Sequence, residues 1–148
     1  MQTYIIDKWE FLYDPELTSN AYKEICSVFI WQCNCSSCQN FNVIREEIYP
    51  EQFKDLLKSL GINPEKEAEI YHIKKTGFKK HLYGGWFHFA GKFTKNDCPE
   101  KMFNLTESFQ ISLTDKVQLV PEILTKHPVL QLEFKTVIPW VIDKKEPK

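Results

Sequence analysis

Leu130-Gln131-Leu132-Glu133-Phe134-Lys135 sets an apolar residue at every second position with a polar one between. That is the period of a strand with one face in a core and the other in water. Phe109, Ile111 and Leu113 repeat it around Gln110 and Ser112, and Trp9, Phe11 and Tyr13 repeat it in a stretch running from Thr3 to Tyr13. Strands covered on one face belong to antiparallel sheets, because parallel sheets are covered on both. Pro50 to Gly61 has a different period. Phe53, Leu56, Leu57 and Leu60 form one helical stripe, Pro50 suits the first helical position, and Gly61 supplies the stop. Two periods in separate stretches predict an α+β fold, a mainly antiparallel sheet with two or three short helices.

The remaining segments fit around that frame. Asp14-Pro15 reads as a turn, and Leu17 to Lys23 is ambiguous, between a loop and a helical turn after Thr18 or Ser19. Ile25 to Cys33 is apolar on both alternating faces, as in a central covered strand. From Ser37 the spacing of Phe41, Ile44 and Ile48 is helical, with Arg45, Glu46 and Glu47 off that face and Ser36 or Ser37 as the cap. Asn63-Pro64 opens a short acidic helix through Glu69. Ile70 to Lys75 and Leu82 to Phe93 read as strands around Thr76-Gly77, with Gly84-Gly85 a bulge or a close backbone approach. Asn96 to Asn104 reads as a loop, and Val117 and Leu119 as a strand after Thr114-Asp115. Residues 1–143 form a single domain and 144–148 a loose charged tail.

The chain has 148 residues, 43% of them hydrophobic, enough for one domain with a real core. Its net charge of -1 gives no global field that would recruit nucleic acid or an anionic membrane, so either would need a local patch. The N-terminus lacks a basic start followed by an apolar core, and Ile25 to Ile44 holds too many amides to cross a membrane. The expectation is a cytoplasmic protein, with its five cysteines reduced. The triplets Asn34-Cys35-Ser36 and Asn104-Leu105-Thr106 then match the glycosylation pattern by chance.

Cys33-Asn34-Cys35-Ser36-Ser37-Cys38 is the most unusual stretch. Three thiols from one tight turn can supply three of the four ligands of a tetrahedral zinc, with Cys98 or His88 as candidates for the fourth. The alternatives are ordinary packed thiols, and a reactive pair in Cys35-Ser36-Ser37-Cys38 at a helix start, where the dipole favours a thiolate. A three-cysteine arm completed from a distance resembles the post-SET zinc site of histone methyltransferases, over this turn alone and with no methyltransferase activity implied. The strand, pair and helix order is similar to thioredoxin-like proteins, without their aromatic-Cys-Gly-Pro-Cys sequence.

In Tyr83-Gly84-Gly85-Trp86-Phe87-His88-Phe89 alternation sets Phe87 and Phe89 on one face and Trp86 and His88 on the other. Tyr83, Trp86 and His88 beside two glycines form a candidate binding face, against the plainer reading of an ordinary sheet surface. Lys74, Lys75, Lys79, Lys80 and His81 surround Thr76-Gly77-Phe78. At a hairpin tip they make a basic patch suited to a phosphate or nucleic acid, though lysines also keep strand edges soluble. The balance of charge argues against nucleic acid.

Cys33-x-Cys35-x-x-Cys38-x-Asn40-Phe41, the helix end Leu60-Gly61-Ile62, and Tyr83-Gly84-Gly85-Trp86 together resemble small single-domain bacterial families without an established activity. By analogy of size and class with bacterial proteins that neutralise toxins, the resemblance implies a non-enzymatic binding protein with a protein partner. The alternative reading is a zinc-binding or thiol-dependent protein built on Cys33, Cys35 and Cys38. No membrane partner is expected, and the oligomeric state is left open.

Overall fold

A computed structural model describes residues 1–25, 33–96 and 101–148. Every paired strand is antiparallel, and the seven strands of the sheet run β1-β2-β4-β7-β6-β5, with β3 also on β4. They are β1 (Gln2–Ile6), β2 (Trp9–Tyr13), β3 (Glu69–Gly77), β4 (Lys80–Asn96), β5 (Phe103–Thr106), β6 (Phe109–Thr114) and β7 (Val129–Pro139). Three α-helices are present among the described residues: α1 (Pro15–Glu24), α2 (Ser36–Ile48) and α3 (Glu51–Leu60). The α+β expectation holds. Residues 26–32 of the strand expected over Ile25 to Cys33, and 97–100 of the loop expected before Asn104, fall outside the described residues.

Several boundaries differ from the sequence reading. The first strand is a hairpin, broken at Asp7, whose φ of 51° turns the chain without glycine or proline. Asp14 is a helix cap instead of a turn residue: its side chain accepts from Leu17 N at 3.0 Å, and Pro15 opens α1. Asn63 makes a side-chain turn onto Glu65 N instead of starting a helix. The hairpin turn lies at Phe78-Lys79, since Gly77 pairs with Lys80. Residues 117–120 form no strand, and Leu119 is left-handed at φ 57°. The glycine pair makes close approaches. A Cβ on Gly84 would lie 2.5 Å from the Tyr71 ring, and one on Gly85 2.7 Å from Glu69 O. The irregularities fall in β3 instead, between His72 and Lys74 and between Lys75 and Gly77.

α2 and α3 cover one face of the sheet. Phe41, Ile44, Phe53, Leu56, Leu57 and Leu60 are buried against Phe87, Phe89, Phe109, Ile111, Leu132 and Phe134. Phe53 and Phe109 have ring centroids 4.6 Å apart, and Tyr49 meets Phe134 edge-on at 5.3 Å. Such pairs add about 0.5–1.5 kcal/mol each beyond their burial.

β4 is the strand all others refer to. Along one edge it pairs with β7 from Lys80 to Ala90; along the other it pairs with β3 up to Trp86 and with β2 from Gly91. Between those two partners its peptide groups would be bare and buried, which folded chains avoid. The loop before β3 and α1 with its cap fill the gap. Ala68 N donates to Trp86 O at 2.9 Å. Tyr22 Oη donates to His88 O at 2.7 Å and accepts from His88 N at 3.2 Å. Thr18 Oγ1 accepts from Ala90 N at 2.9 Å, and Asp14 N donates to Ala90 O at 3.0 Å.

A candidate metal centre at the start of a helix

The cysteine turn sits at the N-terminus of α2, and two contacts fix that end of the helix to the sheet. Tyr83, on the core face of β4, donates from its hydroxyl to Ser37 O at 2.8 Å. Burial pushes the Tyr83 phenol up to about 12, so it remains a donor. Asn40 is fully buried, donates to Pro139 O at 3.1 Å and accepts from Val141 N at 2.8 Å. The amide of Asn40 thereby ties the helix to the end of β7. Its burial left no sign in the sequence, because a polar residue next to Phe41 reads as the solvent side.

The helix cap is Cys35, in place of the serines that follow it. Its extended backbone (φ -74°, ψ 158°) aims the sulfur at the first turn, where Cys38 N lies 3.4 Å away. Cys33 Sγ is 3.2 Å from Cys35 Sγ. All three sulfurs lie within 4.8 Å of one another, and this group could hold a metal ion. Cys38 is buried, Cys33 half-buried and Cys35 exposed, so the cluster opens to solvent on one side.

Their protonation is biased in opposite directions. Hydrogen bonds from Cys38 and then from the Cys35 backbone and thiol hold Cys33 below the usual thiol range. Burial, followed by the neighbouring sulfurs, pushes Cys38 well above it.

The other residues singled out in the sequence lie elsewhere. His88 is buried, and its Nε2 lies 3.0 Å from Gln131 Oε1, on the sheet face opposite Tyr83. It is therefore separated from the thiols that Tyr83 approaches. Cys98 falls outside the described residues. Trp86 shares the outer face with His88, packs tilted against Tyr71 with ring centroids 5.9 Å apart and donates to Gln118 O at 3.2 Å. Tyr83 does not join them, since its odd position puts it with Phe87 and Phe89. Its parity was the signal that separates it.

Two polar clusters gave no warning in the sequence. Arg45 and Glu67 are both buried, with Nε to Oε2 at 3.4 Å and the Tyr49 hydroxyl donating to the same oxygen at 2.9 Å. His72 Nε2 is 2.9 Å from His81 Nδ1, and His81 Nε2 is 2.8 Å from Glu146 Oε1. The charged tail thus folds back onto the sheet at Glu146.

What the fold and site define is a small α+β domain carrying a convergent cysteine cluster. Compared with family models, with curated proteins and with solved structures, the chain gives no match. No helix among the described residues is long and apolar enough to cross a membrane.

Proposed function

We propose that Cys33, Cys35 and Cys38 bind a soft divalent metal, zinc foremost, and that the metal pins the start of α2 in a non-enzymatic protein-binding domain. The observation that carries this reading is the convergence of three sulfurs within 4.8 Å on one turn. Zinc–sulfur bonds of about 2.3 Å in a tetrahedron set the sulfurs about 3.8 Å apart. The Cys33 and Cys35 sulfurs are 3.2 Å apart and all three lie within 4.8 Å, so the group is already near that spacing.

The chemistry follows from the protonation bias. Its neighbours favour loss of the Cys33 proton, and the Cys38 amide already donates to the Cys35 sulfur. Cys38 must lose its proton to bind, so metal uptake releases protons and strengthens as pH rises. A toxin-neutralising partner remains an analogy of size and class.

The test is elemental analysis of protein purified without a metal-affinity tag, beside a native thiol count and cobalt titration. The expected result is about one zinc per chain, thiols protected until a chelator is added, and a thiolate-to-cobalt band lost in Cys35→Ser. Failure to take up either metal would overturn it. A mass lower by two hydrogens after mild oxidation would then favour a Cys33–Cys35 dithiol, the second reading that the 3.2 Å contact supports.

A further inference from the structure

The basic patch at the β3–β4 turn carries more than its lysines. Phe78 stands at the tip, 86% exposed. Lys79 beside it is left-handed at φ 50°, an uncommon conformation for a residue with a Cβ. The C-terminal residues fold against the same end. Trp140 N donates to Lys79 O and Trp140 Nε1 to Lys144 O, both at 2.9 Å, while the Trp140 ring packs 5.2 Å from His81. The exposed Lys144 and Lys145 thereby join the exposed Lys74, Lys75, Lys79 and Lys80. Of the acids there, Glu146 is held by His81 at 2.8 Å and Lys75 at 3.7 Å, which leaves Asp143 to offset the patch.

The apolar residues decide what the patch fits. Ile73, Phe78, Val137 and Val141 are all exposed large hydrophobic residues. Pairing of Leu82 with Val137 and of Lys80 with Pro139 puts the β7 end beside the hairpin, and Val141 follows it. Lysines that only kept an edge soluble would not need an exposed phenylalanine among them. A single-stranded nucleic acid would need several exposed ring faces on which to stack bases. Here Trp140 and His81 are buried, and the exposed companions of Phe78 are aliphatic.

We propose that this end of the molecule is a membrane-surface site that docks on an anionic lipid bilayer, Phe78 entering the interface and the lysines facing the headgroups. It lies on the bilayer without spanning it. Each lysine near an anionic surface contributes about fivefold in affinity, and a partly inserted phenylalanine about tenfold. The chain as a whole has a net charge of -1, so binding depends on this patch and weakens with salt.

The experiment is co-sedimentation of the full chain with vesicles of phosphatidylcholine alone or with about 30% phosphatidylserine at about 0.1 M salt. Binding to the anionic vesicles only is expected, about tenfold weaker in Phe78→Ser and lost when Lys74, Lys79, Lys80 and Lys144 are all changed to Gln. Phe78 is exposed, so Phe78→Ser should melt like the parent chain, and it decides the matter alone if the lysine variant misfolds. Absence of vesicle binding, or binding indifferent to Phe78→Ser, would overturn the proposal. So would single-stranded RNA binding through these residues without vesicle binding.

Discussion

Tyr22→Phe removes one oxygen and should be among the costliest conservative changes in the chain. The hydroxyl satisfies both peptide groups of His88, donating at 2.7 Å and accepting at 3.2 Å, where neither β3 nor β2 reaches β4. Burial pushes the phenol far above its ordinary range, so it stays protonated and can play both parts. Phenylalanine fills the same space and leaves a buried N–H and a buried C=O without partners. Each such group costs about 1–3 kcal/mol; allowing for the longer second bond, the loss is about 3 kcal/mol. For a domain of this size that lowers the melting temperature by about 6–12 °C. Urea unfolding gives the free energy, and hydrogen exchange at the His88 amide reports the local opening directly. Tyr13→Phe is the control, since its hydroxyl meets only the Gln2 side chain at 3.0 Å in a partly exposed position. It should stay within about 0.5 kcal/mol of the parent. If the two variants proved equally stable, the account of β4's filled edge would be wrong.

The buried ion pair should respond asymmetrically. Arg45→Met leaves the buried Glu67 carboxylate without its cation, with the Tyr49 hydroxyl still donating to it, and should cost about 3–5 kcal/mol in urea unfolding, whereas Glu67→Gln keeps an acceptor for Tyr49 and should cost less. Gly61→Ala meets both a φ of +83° and a Cβ 2.2 Å from Pro15 O. It should lose at least about 2 kcal/mol, while Gly77→Ala, with nothing within 4 Å, should stay within about 0.5 kcal/mol in the same assay. Burial, with repulsion from His81 at His72, holds His72 and His88 below the ordinary 6.5. The unfolded chain therefore binds more protons than the folded one as pH falls through 6.5 towards those lower values, and the urea midpoint should drop between about pH 7.5 and about pH 5.5.

Strong periodicity made much of this architecture readable. Phe53, Leu56, Leu57 and Leu60 defined α3, and the alternation from Leu130 to Phe134 defined β7, although Gln131 on the other face of that strand is buried as well. Where a single torsion or cap decides, the signal was thin. Asp7 breaks β1 from β2 while the apolar alternation runs on through Trp9, and Asp14-Pro15 serves a turn and a helix start equally well. The cysteine cluster was visible because its spacing alone brings the sulfurs onto one turn. Asn40, Arg45 and Glu67 were not, since their burial depends on partners about 20 to 100 residues away along the chain.

β4 has a consequence for synthesis as well as for stability. Its seventeen residues emerge before β7, which must pair with it from Lys80 to Ala90. Until residues 129–139 have followed, a nascent chain carries Phe87 and Phe89 beside an open hydrogen-bonding edge. Such an edge is a template for neighbouring copies, so the interval between the two strands is when this chain depends most on dilution or on a chaperone.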